Sequence, residues 1–187
     1  MGVAHQNGEP WTLDDVLALP EDTSQRVELV GRALMTSPAP GRPHQRASYR
    51  LHVLLERAAE IADAPVELFE GINVIVPDGL LIPDLVVLDA AADPDGVTAD
   101  AQDVLMVVEI ASPSTRITDR ERKPSLYAAA GIAHYWRVEL EPAPRVLIGR
   151  LRNGSYVDEP PLLAGAVGRV EQPFPVAFDP DVLVRRR

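Results

Sequence analysis

Cysteine is absent from this 187-residue chain, which excludes a disulfide framework, a thiolate nucleophile and a cysteine-based zinc site. Any metal must be held by oxygen or imidazole. Lysine is almost absent: of 18 basic residues only Lys123 is a lysine, and the rest are arginine. No apolar run approaches the roughly 20 residues of a membrane helix. The opening "MGVAHQNGEP" lacks the basic and apolar regions of a signal peptide, and its Met-Gly start is not followed by the Ser or Thr of a myristoylation signal. A membrane is therefore not expected as a partner, and a cytoplasmic location is. A surplus of positive charge is also missing, since the formal net charge is -10. That balance argues against a protein that coats nucleic acid through its overall field.

The residues that are present suit one globular domain over residues 11–187 behind a flexible N-terminus at 1–10, with 46% hydrophobic residues to build a core. Arginine is unevenly placed. Arg42, Arg46, Arg50 and Arg57 recur at helical intervals, and Arg116, Arg120 and Arg122 crowd the stretch before Lys123. Local patches can meet phosphate even on an acidic protein, and Arg42, Arg46 and Arg50 are the candidate DNA contacts.

Periodicity predicts the elements. "WTLDDVLALP" reads as a short helix with Thr12 as N-cap and Asp15 in the capping-box position. "RVELVGRALMTS" reads as two strands turning at Gly31. In "HQRASYRLHVLLERAAEIAD" the apolar residues Ala47, Leu51, Leu54, Leu55, Ala58 and Ile61 follow helix spacing. Strand candidates follow in "VELFEGINVIV", "LIPDLVVLD" and the uninterrupted "VLMVVEIA", with an acidic loop, "AADPDGVTADAQD", before the last. An all-apolar strand is buried on both faces. A second helix is expected from about Arg122 to Ala130, because Pro124 is tolerated only in a first turn and Gly131 suits the C-terminal cap. "AHYWRVEL" is a further strand, "RVLIGRLRNGSYVDE" a hairpin through Asn153-Gly154, and the Pro-rich tail from Pro160 is expected to wrap the sheet edge.

On this frame two carboxylates stand at strand ends. Asp84 follows Pro83 before an apolar strand and Glu109 lies near the end of another. A buried carboxylate needs a partner or a metal. Converging, the two would form an oxygen site for Mg²⁺ or Mn²⁺, with Lys123 as a compact point charge beside a phosphate, a task for which arginine's broad fork is less suited. Singly, each residue has a plainer reading: Asp84 as a turn residue, Glu109 as a carboxylate bonded to the Ser112–Thr115 loop, Lys123 as a solvated side chain at a helix start.

The stretches "RVELVGRALMTSPAPGRPHQRASYRLHVLL", "PDLVVLD" and "VVEIASPSTRITDRERKPSLYAAAGIAHYW", with the closing hairpin, resemble the Uma-two family of restriction-endonuclease-like proteins from about Trp11 to Val184. The resemblance implies the PD-(D/E)XK nuclease superfamily and an α/β, restriction-endonuclease-like core: a mixed central sheet flanked by helices, here with an N-terminal helix-hairpin extension. It implies that Asp84 is the Asp of the "PD" element, Glu109 the second acid and Lys123 the lysine. Two residues after Glu109, where the parent pattern places its lysine, stands Ala111. Glu28 matches an acid of the N-terminal hairpin and is a candidate third metal ligand. His44 matches a histidine that opens the first core helix and is a candidate auxiliary residue or simply a helix-start residue bonded to nearby backbone. His5, His52 and His134 show no metal spacing among themselves, and Tyr127, Tyr135 and Trp136 read as core or interface aromatics.

Three functions follow from this reading. The first is a Mg²⁺- or Mn²⁺-dependent DNA endonuclease, for which a homodimer would suit double-strand cleavage. The others are a nuclease-fold binding or assembly module without catalysis, and a hydrolase of a smaller phosphate ester.

Overall fold

Thr12 and Asp15 form the predicted capping box, with Asp15 N–H donating to Thr12 Oγ1 at 3.2 Å and Thr12 N–H to Asp15 Oδ2 at 2.9 Å. They start α1 (Leu13–Leu17). The computed structural model describes residues 10–19, 26–37, 39–111 and 122–185. The N-terminal stretch 1–9 and the segment carrying Arg116 and Arg120 lie outside the described residues. Strands β1 (Arg26–Val30) and β2 (Ala33–Ser37) form the hairpin, and its turn places both Gly31 and Arg32 at positive φ. Helix α2 (Arg42–Ile61) opens with Pro43 in its first turn and buries Ala47, Ser48, Leu51, Leu55 and Ala59.

The stretch "VELFEGINVIV" is not one strand. It divides at Gly71, φ +65°, into β3 (Val66–Glu70) and β4 (Asn73–Val76), which enter different sheets. The left-handed backbone at Gly71 lets the chain leave one layer for the next. Then come β5 (Gly79–Leu81), β6 (Leu85–Asp89), β7 (Thr98–Asp100) within the acidic loop, and β8 (Val104–Ala111). Helix α3 (Lys123–Ala129) precedes β9 (His134–Glu139), and β10 (Arg145–Arg152) and β11 (Ser155–Leu163) turn through Asn153-Gly154. A hairpin of β12 (Gly168–Val170) and β13 (Val176–Phe178) and a 3₁₀ turn at Pro180–Leu183 close the fold.

The main sheet is mixed, in the order β11-β10-β9-β8-β6-β3, with β8 and β9 parallel and the other neighbours antiparallel. A second sheet runs β2-β1-β5-β4-β7, so the N-terminal hairpin is built into a layer beside the mixed sheet. One face of the mixed sheet packs Leu85, Val87, Met106, Val108, Ile110, Trp136 and Val138 against α2. The other packs Val86, Leu88, Val107 and Tyr135 against Tyr127 and Ile132 and against Val74, Val76 and Leu81 of the second sheet. Full burial of each large apolar side chain contributes about 1.5–3 kcal/mol, so β6 and β8, covered on both faces, are firmly anchored.

The tail does not wrap the edge as expected. It runs along the edge as β11 through Pro160 and Pro161, a place where a missing N–H costs little. It then turns onto the α2 face, where Phe174, Val176, Phe178 and Leu183 join the core. Its apolar residues, not its prolines, decide where it lies.

Candidate functional site

The two strand-end acids meet across one ladder. Leu85 pairs with Val108 and Val86 with Val107, so continuing that antiparallel register sets Asp84 opposite Glu109. Glu109 shares a face with Val107, the face that receives α3. One Asp84 oxygen, Oδ2, accepts the backbone N–H of Ile110 at 2.7 Å, which ties the aspartate to the residue next to Glu109. Both acids are buried, Asp84 at 7% exposure and Glu109 at 3%.

Each acid is held by the protein's own donors. Arg26 NH1 donates to Asp84 Oδ1 at 3.1 Å, and His44 Nε2 lies 3.0 Å from Asp84 Oδ2. Burial is the largest single influence on the Asp84 carboxyl and pushes its pKa up. The hydrogen bond and charge of His44, the Ile110 N–H and the Arg26 charge together outweigh it and hold the group below its ordinary value. Lys123 is not solvated: at 4% exposure its Nζ lies 2.8 Å from Glu28 Oε1 and 3.1 Å from Glu109 Oε1. Glu28 Oε1 also accepts the N–H of Ile82 at 2.8 Å. The Tyr127 hydroxyl donates to Glu109 Oε1 at 2.7 Å. Burial first, then the charges of Glu109 and Glu28, raise the Tyr127 pKa well above its usual value, so it stays a donor.

Asp84 and His44 thus share one bonded cluster with Arg26, and Glu109, Lys123 and Glu28 share another with Tyr127, the two joined through the backbone at Ile110, the residue after Glu109. The candidate DNA contacts belong to neither. Arg42 is exposed and Arg46 half-buried, and both lie on the flank of α2 turned away from His44 by helical geometry. Arg50 donates to the carbonyls of Val182 and Arg185, so its guanidinium clamps the C-terminal segment. The guanidinium expected to meet phosphate is thus engaged by two carbonyls.

Two members were not anticipated. Arg26 stands two residues before Glu28 on β1, and period two puts both on one face of a strand. Tyr127 stands four residues after Lys123 on α3, and that spacing puts both on one face of a helix. Those spacings were the available signals. A fourth buried acid, Glu139, accepts hydrogen bonds from Arg145 and forms an ion pair with Arg137 of the same strand at 3.4 Å.

Among the described residues, no three His, Asp or Glu side chains stand as a ready metal cluster. The donor chemistry nonetheless fits a hard cation: oxygen ligands on adjacent strand ends suit Mg²⁺ or Mn²⁺, which keeps several waters and needs only one or two carboxylates from protein.

The family described as "Uma2: Putative restriction endonuclease" matches residues 13–183. Among solved structures, the chain is similar to that of "a putative nuclease belonging to DUF820" from Anabaena variabilis ATCC 29413, at 20% identity and a TM-score of 0.64, covering 86% of this chain and 89% of the other. That likeness shows a shared, nuclease-like fold. No curated protein matches the sequence.

Proposed function

The chain belongs to the Uma2 family of restriction-endonuclease-like proteins, and from that premise we propose that it is a Mg²⁺- or Mn²⁺-dependent endonuclease that hydrolyses DNA phosphodiester bonds. The observation that carries the reading is the burial of one lysine between two glutamates beside a third acid on the next strand. Burying three carboxylates costs far more than a folded domain needs to spend on structure, and apolar packing is often as stable or more so. Such a cluster supports a chemical role over a purely structural one.

Asp84 and Glu109 would hold the ion, with Glu28 as a further ligand. A divalent ion there would supply Lewis acidity, polarising the phosphate and acidifying water. The chain's own residues do the rest. His44 and the Ile110 N–H orient the Asp84 carboxylate and favour its ionised form. Tyr127 fixes Glu109 by its hydroxyl. The Lys123 ammonium, held at one point by two carboxylates, stabilises negative charge as it grows on the phosphate in the transition state. A homodimer would present two such sites to the two strands of a duplex.

Incubating the purified protein with supercoiled plasmid and Mg²⁺ or Mn²⁺ tests the reading. Wild type is expected to nick or linearise the plasmid, and Asp84→Asn to lose at least about 10²-fold in rate. Wild type that leaves the plasmid intact but hydrolyses a small phosphate ester would move the substrate class. The second reading, a nuclease-fold module without catalysis, is favoured by one observation: each acid already has a cationic partner. Wild type that neither cleaves nor binds the ions would leave that reading standing.

A further inference from the structure

The cations that neutralise the three acids differ in how firmly they are held. Lys123 is enclosed, its side chain 6% exposed and shared between Glu28 and Glu109. Arg26 is at the rim. Its side chain is 34% exposed, and its single hydrogen bond among the described residues is the one from NH1 to Asp84 Oδ1. A guanidinium has five N–H donors, so most of its capacity is unspent. The group lies over Gly71, where a Cβ would come within 2.9 Å of NH2, so the side chain occupies a trough that needs a glycine. Asp84 is also asymmetric. Among the described residues, Oδ2 is taken by the Ile110 N–H and by His44, whereas Oδ1 has Arg26 alone.

Oδ1 is therefore the oxygen that can be released without disturbing backbone or a buried side chain, and Arg26 is the group that must release it. We propose that Arg26 is an exchangeable internal counter-ion: it neutralises Asp84 Oδ1 until a divalent cation takes that oxygen, and its freed guanidinium then contacts a phosphate of the incoming nucleic acid. The inference rests on the endonuclease reading above and adds to it a positioning role for Arg26, with cation and substrate binding coupled through one side chain. A planar guanidinium suits both partners, since it pairs with carboxylate and phosphate alike. Its exposure allows the swing that Lys123 lacks.

The role predicts opposite signs for two affinities. Titration calorimetry with MnCl₂ should show Arg26→Gln binding Mn²⁺ about 5- to 20-fold more tightly than wild type, because no internal cation competes. Duplex DNA binding, measured over a salt series with saturating Ca²⁺ present, should weaken, with the slope of log K against log salt reduced by about 0.9, one phosphate contact, whereas without divalent ion the slope should match wild type. Arg26→Lys, which keeps the charge, should stay near wild type in the Mn²⁺ titration, and Asp84→Asn should lose Mn²⁺ binding. Thermal melts control for folding. Unchanged or weaker Mn²⁺ binding in a folded Arg26→Gln protein, with wild-type binding abolished by Asp84→Asn, would overturn the counter-ion role and leave the metal site standing. Absence of Mn²⁺ binding in both wild type and Arg26→Gln would overturn the two readings together.

Discussion

Lys123 is the residue whose surroundings matter most. An exposed lysine at a helix start contributes within about 0.5 kcal/mol to stability, but this one is shared by two buried glutamates. Removing one partner of a buried ion pair costs about 3–5 kcal/mol, because the carboxylates stay behind uncompensated. Lys123→Ala is therefore expected to lower the melting temperature sharply as well as abolish cleavage. Lys123→Met combined with Glu28→Gln, which removes one charge of each sign, should recover much of the stability and none of the cleavage. Recovery of cleavage would show that the lysine is structural only. Tyr127 makes a second test. Tyr127→Phe deletes one hydrogen bond to a charged group, worth about 1.5–3 kcal/mol, and leaves the ring contact with Tyr135, centroids 5.9 Å apart. Denaturant unfolding should show a loss of that size. A loss near zero would mean that the hydroxyl does not hold Glu109.

At the scale of elements, β8 and the start of β9 set the geometry. His134 opens β9 and pairs through the backbone with Met106 and Arg150. Burial first, and then the charge of Arg150, depress its pKa below the ordinary 6.5. The sign follows directly: a depressed group stabilises the fold fully above the unfolded pKa, and that stability is lost as pH falls below about 6.5 toward the lower folded value. Urea midpoints taken downward from pH 7.5 should fall in this window for wild type and fall less steeply for His134→Gln. Parallel curves would remove His134 from the account. The elements themselves were largely legible. The run "VLMVVEIA", apolar but for Glu109, announced a central strand, and Pro124 and Gly131 bracketed α3. The division at Gly71 was not legible, because a glycine inside an apolar run does not say whether the chain bulges or changes sheet. The partners of the acids were legible only in spacing, since burial of Lys123 depends on layers that no local pattern reveals.

For the whole molecule, the net charge of -10 means that any approach to DNA is local and opposed at a distance. No helix among the described residues is long and apolar enough to cross a membrane. Arg42 and Arg46 are proposed as phosphate contacts outside the site, while Arg50 secures the C-terminal segment to α2. Arg50→Ala should cost about 1–3 kcal/mol of stability without changing the salt slope of DNA binding. The Arg42→Ala, Arg46→Ala pair should do the reverse, reducing that slope by about 1.8 at constant melting temperature. Equal slopes for all three proteins would move the DNA path off α2. The expectations about cleavage lean on one claim, that Asp84 and Glu109 share a divalent cation beside Lys123. Anomalous diffraction from crystals grown with MnCl₂ tests it most directly. The account predicts a manganese peak within coordination distance of both carboxylates, with Arg26 withdrawn from Asp84. A map with no peak there, while manganese is seen elsewhere in the crystal, would contradict it.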